Sequence, residues 1–324
     1  CSGATFDLCK IMLPDSGHLQ EEEAKYANKR KFSKHRPALP LYTVEDAEHS
    51  LSYFKPVERH KAVPLSSTAS FELFRAGHIL GASMVRLIAN SRSVLFSGDL
   101  GRQNDVVMKA PEPLPNCDYL VLESTYGDRK HEAFDPIGRL QETVSDAWKS
   151  NSVVIIPAFA VGRAQTLLHI FAELKKQGSL PDIPIYLNSP MATKVTGVFC
   201  EHTKEHKLSD NQCSEACDVA TYVQSPEESK ELNERSGPMV IISASGMATG
   251  GRVIHHLKSF VSDPKNTVIF AGFQAAGTRG AALVRGVDEI KIHGQYFPVR
   301  ARIVSLDMLS AHADYVEILD WLES

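Results

Sequence analysis

Cysteine is scarce in this sequence: six among 324 residues, at positions 1, 9, 117, 200, 213 and 217. That is too thin a set for the disulfide framework of a small secreted domain, and reduced thiols in a cytoplasmic protein are expected. Cys213 and Cys217 have the spacing of half a metal clip, which alone does not make a site. No apolar run approaches the ~18 residues of a membrane-spanning helix, so no membrane partner is expected. No leader pattern stands at the start. There is also no initiator Met, and the final segment Tyr315–Ser324 has no Gly or Pro exit signal, so a piece of a longer protein is expected. Neither sign of charge dominates: 35 Lys and Arg against 39 Asp and Glu give −4. A dedicated double-helix binder is usually basic, but a nuclease with a local basic groove stays open. Repeats and low-complexity tracts are absent. A hydrophobic share of 43% with 23% charged residues excludes a disordered or fibrous chain. The length favours two domains of ~150 residues each.

The first sixty residues read as helical and polar. Glu21, Glu22 and Glu23 followed by Lys25, Lys29, Arg30 and Lys31 describe a solvated helix with paired charges. Thr43 followed by Glu45 and Asp46 reads as a helix N-cap. From residue 70 short apolar strands take over: Phe71–Arg75, Met84–Ile88, Val94–Phe96 and Tyr119–Leu122. Beyond residue 135 strands alternate with helices. Val153–Pro157, Ile183–Leu187, Val240–Ser243 and Val268–Ala271 are strands, while 162–177 and 191–203 are helices. This is the pattern of βαβ units on a parallel sheet, with ligand contacts expected at the carboxyl ends of the strands.

Four strand exits carry acid or imidazole. His78 lies in AGHILGAS, Asp99 in FSGDLG, Glu123 in ESTYGDR and His312 in SAHAD. Each alone is an ordinary loop residue. Together they offer the donors of a hydrolytic zinc site. A second kind of signal is the loop 243–252, SASGMATGGR, which follows a buried strand and opens a helix, where backbone N–H groups attract anions. Ser243, Ser245, Gly246, Thr249, Gly250, Gly251 and Arg252 are its candidate phosphate contacts. In the loop 159–163, Phe159 is a candidate for stacking on a base and Arg163 for holding a phosphate. His18 and His293 read as structural, His18 at a helix start. His255 and His256 read as solvent-facing.

These motifs, with PAFAVGRAQ, LNSPMA and GFQAAGTRG between them, resemble the β-CASP branch of the metallo-β-lactamase superfamily, in the family's order and over nearly the whole chain. The resemblance implies an α/β fold: an αββα metallo-β-lactamase sandwich, incomplete here, from residues 1–128 and 297–324. A β-CASP parallel-sheet domain from residues 129–296 is inserted in it. It implies a zinc-dependent ribonuclease that hydrolyses single-stranded RNA in the cleft between the domains, with the 243–252 loop facing the metals. Carried over residue by residue, His78 is a zinc ligand and Asp99 the carboxylate bridging two Zn2+. Glu123 is the acidic residue that orients His312, and His312 protonates the leaving group. The family's HxHxDH run and its later His are absent from the 324 residues. Partial or no zinc occupancy and an inactive fragment are therefore expected. A DNA-processing relative and a non-catalytic RNA-binding scaffold are the alternatives. A small-molecule hydrolase is set aside because such enzymes lack the inserted domain. A homodimer is left open.

Overall fold

A computed structural model describes residues 1–31, 33–131, 135–306 and 309–324. The chain divides into two compact units. The first comprises Cys1–Arg75, Gly81–Gly98 and Pro115–Leu122; the second comprises Ala76–Leu80, Asp99–Leu114 and Glu123–Ser324. Among the described residues no helix is long and apolar enough to cross a membrane.

In the first unit Ser2 caps α1 (Gly3–Arg30) by accepting from the Thr5 N–H, and Lys29 and Arg30 sit in its last turn, where the helix dipole favours cations. The helix runs through Pro14, so His18 lies in its middle rather than at a helix start. Lys25 and Glu22 pair at 2.9 Å on its exposed face, as the charge pattern requires. α2 (Val44–Leu51) starts with a full capping box between Thr43 and Asp46. Five strands follow: β1 (Val63–Pro64), β2 (Ala69–Arg75), β3 (Ser83–Ala89), β4 (Arg92–Phe96) and β5 (Tyr119–Val121). They form one sheet in sequence order. Its pairings are antiparallel except β4 with β5, which is parallel.

The second unit is built on alternating strands and helices. In order these are α3 (Pro136–Lys149), β6 (Val153–Pro157), α4 (Arg163–Lys176), β7 (Ile185–Asn188), α5 (Pro190–Glu201), α6 (Asp210–Asp218), β8 (Thr221–Tyr222), α7 (Pro226–Glu234), β9 (Met239–Ser243), α8 (Val253–Phe260), β10 (Thr267–Phe270), α9 (Arg279–Val284), β11 (Glu289–Ile292), β12 (Gln295–Pro298), β13 (Arg302–Ser305) and α10 (Tyr315–Leu322). Six strands make a sheet in the order β13-β10-β6-β9-β7-β8, every pairing parallel. β6 and β9 are buried along their whole length, because helices cover both faces of a parallel sheet. On one face Val154, Ile156, Val240 and Ile242 pack with Leu167, Leu168 and Phe171 of α4. On the other, Val153, Ile155, Ile241 and Phe270 pack with Val253, Ile254 and Leu257 of α8. Burying each such side chain contributes about 1.5–3 kcal/mol. β13 joins the sheet edge beside β10, with Ile303 opposite Val268 and Val304 opposite Ile269. The chain thus leaves the parallel sheet a few residues before His312.

Candidate active site

All four strand-exit residues fall in the second unit. The His78 and Asp99 loops are held together by backbone: Gly77 bridges Leu100, Gly101 bridges His312, and the Gly101 N–H donates to the Ala76 carbonyl at 2.8 Å. The approach is so close that a Cβ on Gly101 would sit 2.2 Å from the Gly77 carbonyl. Gly77 has φ +72°, and a side chain there would meet the Lys109 carbonyl oxygen at 2.7 Å. Glycine is the residue both positions tolerate.

The side chains converge. His78 Nε2 lies 3.8 Å from Asp99 Oδ2. The His78 and His312 rings stand 4.3 Å apart at 46°. One donor atom each from His78, Asp99 and His312 falls within a mutual 4.8 Å. His312 Nδ1 lies 3.2 and 3.3 Å from the two oxygens of Glu123. A carboxylate only accepts, so this pair fixes the proton on Nδ1 and turns Nε2 outward. Burial would push Glu123 up. Hydrogen bonds from His312 and the Thr125 side chain, the His312 charge and the Leu100 N–H outweigh it and hold the carboxyl below its ordinary value. Burial, and then the His312 charge, push His78 down despite Asp99, the Ala311 backbone and Glu123.

A neutral imidazole beside a carboxylate is the donor chemistry zinc takes. His78 Nδ1 is buried with no hydrogen bond of ordinary geometry, although the nearby Ala311 backbone favours the charged ring. These residues fit one zinc ion.

Part of the site carried little sequence signal. His131 Nε2 donates to the His312 carbonyl at 2.9 Å, and the His131 N–H donates to Asp314 Oδ2 at 2.8 Å. Asp314 also caps α10 through the Val316 and Glu317 N–H groups. Glu317 takes Arg102 Nε on both oxygens at 3.1 Å. The Tyr126 ring lies 4.7 Å from His131 and 6.3 Å from His312. The only clues were the spacing of His131 after ESTYGDR and the Asp within SAHAD itself.

The loops after β6, β9 and β10 meet at the carboxyl ends of their strands. Gln274 Nε2 donates to the Gly246 carbonyl, and Arg279 to those of Ala248 and Thr249. The Thr249 and Gly250 N–H groups converge on Ser245 Oγ at 3.1 and 3.4 Å. The loop's own hydroxyl thus occupies the place an anion would take. Gly251 has φ +74°, and a Cβ there would touch the Ala244 carbonyl oxygen at 2.6 Å. Ser243 is fully buried and donates to the Asn188 carbonyl. Arg252 spends its guanidinium on Asn188 Oδ1 and the Val223 and Gln224 carbonyls. Phe159 lies against Gly246 yet stays 42% exposed.

Arg163 is 8% exposed, and among the described residues its guanidinium makes no hydrogen bond. Burial pushes it down to about 10, against the pull of Asp105 and Tyr126. Gly162 before it packs on Ile79, next to His78. His255 is exposed as expected. His256 is not: it is wholly buried, with Asn188 and Asn233 on its two nitrogens, because it lies on the face of α8 that packs against the sheet.

Two family models match the chain: a Beta-Casp domain over residues 164–283 and a Zn-dependent metallo-hydrolase RNA specificity domain over residues 296–324. A ribonuclease of Thermus thermophilus is 35% identical over 293 residues, 88% of this chain and 67% of the relative. An RNase J-like protein of Methanocaldococcus jannaschii is 30% identical over 288 residues, 87% and 67% respectively. A transcription termination factor, FttA, of Thermococcus kodakarensis is 29% identical over 303 residues. This chain spans about half that factor's length, 46%. With the motifs, the parallel sheet and these matches agreeing, the chain belongs to the β-CASP family of metallo-β-lactamase-type hydrolases.

Proposed function

We propose that this chain serves zinc-dependent hydrolysis of phosphodiester bonds in single-stranded RNA. The observation that carries the reading is the His312–Glu123 pair at 3.2 Å beside the donors His78 and Asp99. Residues 129–296 would form the domain that grips RNA, and residues 1–128 with 297–324 the domain that carries metal. His78 and Asp99 would hold zinc. When bound, the metal supplies positive charge that neutralises phosphate oxygens as the bond breaks. In the intact enzyme Asp99 would help hold a second such ion as well.

The chain's own residues do the rest. Protonated His312 donates from Nε2 to the departing oxygen, and Glu123 keeps Nδ1–H in place and stabilises the ring's charge. The buried Arg163 is costly without an anion, and an RNA phosphate would supply one. Phe159 offers a stacking face. Ser245, Gly246, Thr249, Gly250 and Gly251, in a loop shaped by Ser243 and Arg252, would cradle a second phosphate only once Ser245 Oγ swings off the Thr249 and Gly250 N–H groups. Because this sequence has no HxHxDH run, RNA binding without turnover is the second reading for this chain alone.

Three measurements test the proposal. Metal analysis should find at most one zinc per chain, and any zinc held should be lost on His78→Ala. Fluorescence anisotropy should show tighter binding of single-stranded RNA than of the matching single-stranded DNA. A longer protein carrying the HxHxDH segment should cleave RNA, and His312→Ala there should lower turnover ~10²–10⁴-fold while zinc stays. Loss of zinc from the His312→Ala protein, or equal binding of RNA and DNA, would overturn the assignment.

A further inference from the structure

Three of the six cysteines meet where α5 and α6 pack. Cys200 is the penultimate residue of α5 and Cys217 that of α6. Their sulfurs are 3.6 Å apart, in van der Waals contact. Cys213, one turn earlier on α6, is buried, and its sulfur lies near Cys200 and 3.9 Å from His206 Nε2. The Tyr222 hydroxyl hydrogen-bonds Cys217. A cavity of about 10 Å³ opens beside the three sulfurs, lined also by Gln165, Leu168 and Thr196. That is room for one water-sized group, and so for a sulfur to shift.

A metal clip does not fit this cluster. His206 Nδ1 accepts the Leu208 N–H, which leaves the ring proton on Nε2 facing the Phe199 carbonyl. Neither nitrogen has a lone pair to give. Among the described residues, moreover, the three sulfurs do not all come within 4.8 Å of one another. The chemistry in reach is pairwise.

We propose that Cys200 and Cys217 form a reversible intramolecular disulfide, exchanging with a small-molecule disulfide and its thiol. One cysteine thiolate attacks a sulfur of the small disulfide, breaks its S–S bond and releases one small thiolate. The second cysteine thiolate then attacks the protein sulfur of the mixed disulfide and expels the other small thiolate. Two protons pass from the cysteines to the two released thiolates. The protein gives up two electrons, and the small disulfide takes them. The Cys200 hydrogen bond and burial push the Cys217 thiol up, so exchange is slow at neutral pH and quickens as pH rises. The bond would pin two helix ends 17 residues apart in sequence, restricting the unfolded chain more than the folded one. The proposal stands apart from the nuclease reading and does not depend on it.

The experiment equilibrates the whole chain in glutathione buffers of increasing oxidised fraction, alkylates free thiols and maps peptides by mass spectrometry. The alkylatable count should fall from six to four, with a linked peptide pair containing Cys200 and Cys217, and dithiothreitol should restore all six. The oxidised form should melt about 5 °C higher. Cys217→Ser should abolish the link, while Cys9→Ser should leave it. Six alkylatable thiols throughout, a link through other cysteines in equal yield, or an intermolecular bond would each overturn the proposal. The wild-type map decides the matter even if a variant misfolds.

Discussion

Acid should weaken this fold through one buried histidine. His256 is wholly buried on α8, and burial, with the charges of His255 and Arg252, pushes its pKa from 6.5 down to about 4. The geometry explains why the neutral ring is required. Nδ1–H donates to Asn233 Oδ1 at 2.7 Å, and Nε2 accepts from Asn188 Nδ2 at 2.6 Å. A second ring proton would face the Asn188 amide. That amide cannot flip to accept it, because its Oδ1 holds Arg252 and its Nδ2 also serves Ser229. The unfolded chain binds a proton near pH 6.5 and the folded one only near 4, so stability falls as pH drops through that window. At 1.36 kcal/mol per unit the loss is about 3 kcal/mol. Urea unfolding from about pH 7 to about pH 4.5, on wild type and His256→Gln, isolates the effect from the other histidines. The Gln oxygen can accept from Asn188 but leaves Asn233 unpaired, so the variant should start about 1–3 kcal/mol less stable. That gap should close or reverse at the acid end. A gap that stays constant across the series would refute the argument.

Four further outcomes follow from the site. Glu123→Gln, in a protein that cleaves RNA, should lose turnover ~10²-fold or more, because an amide turns a donor toward the Leu100 or Thr125 N–H and cannot stabilise a charged His312; steady-state cleavage of a labelled RNA would show it. Arg163→Met should leave the fold as stable or up to about 4 kcal/mol more so in urea, while single-stranded RNA binding by anisotropy weakens ~10-fold. Asp314→Ala strips the acceptor from the Val316, Glu317 and His131 N–H groups and should cost about 2–4 kcal/mol by urea unfolding. Burial opposes the low pKa of Asp314, but the backbone hydrogen bonds from Glu317, His131 and Val316, with the His131 charge, hold it below 3.8. Its stabilisation is thus complete above pH 3.8 and lost only below, a window beneath that of His256. His131→Ala should lower RNA cleavage more than it lowers the melting temperature, and His131→Gln, whose amide can still donate to the His312 carbonyl, should restore much of it.

The strand-exit residues were legible because a loop at the carboxyl end of a strand leaves a polar side chain little purpose other than a ligand or a turn. Four such loops in one order, whose side chains the fold brings together, favour a ligand. The parallel sheet was legible for a related reason: Val153–Pro157 and Met239–Ile242 are unbroken apolar runs, as expected of a sheet covered on both faces. What escaped was reciprocal pairing. Nothing local in SASGMATGGR says that Arg252 turns away from the loop to bind Asn188, or that Ser243 is buried beneath it. Both depend on β7, more than fifty residues earlier in the chain. His256 escaped in the same way. A polar residue beside His255 reads as solvated until the sheet is in place and Asn188 and Asn233 are found waiting for it. Arg163 is the contrary case. Ser243 and Arg252 in this loop cluster find their partners within the fold, but the guanidinium of Arg163 does not. Arg252 holds three acceptors within the fold, whereas Arg163 has only the longer-range pull of Asp105 and Tyr126 against its burial, and that asymmetry is what the Arg163→Met comparison of stability and RNA binding tests.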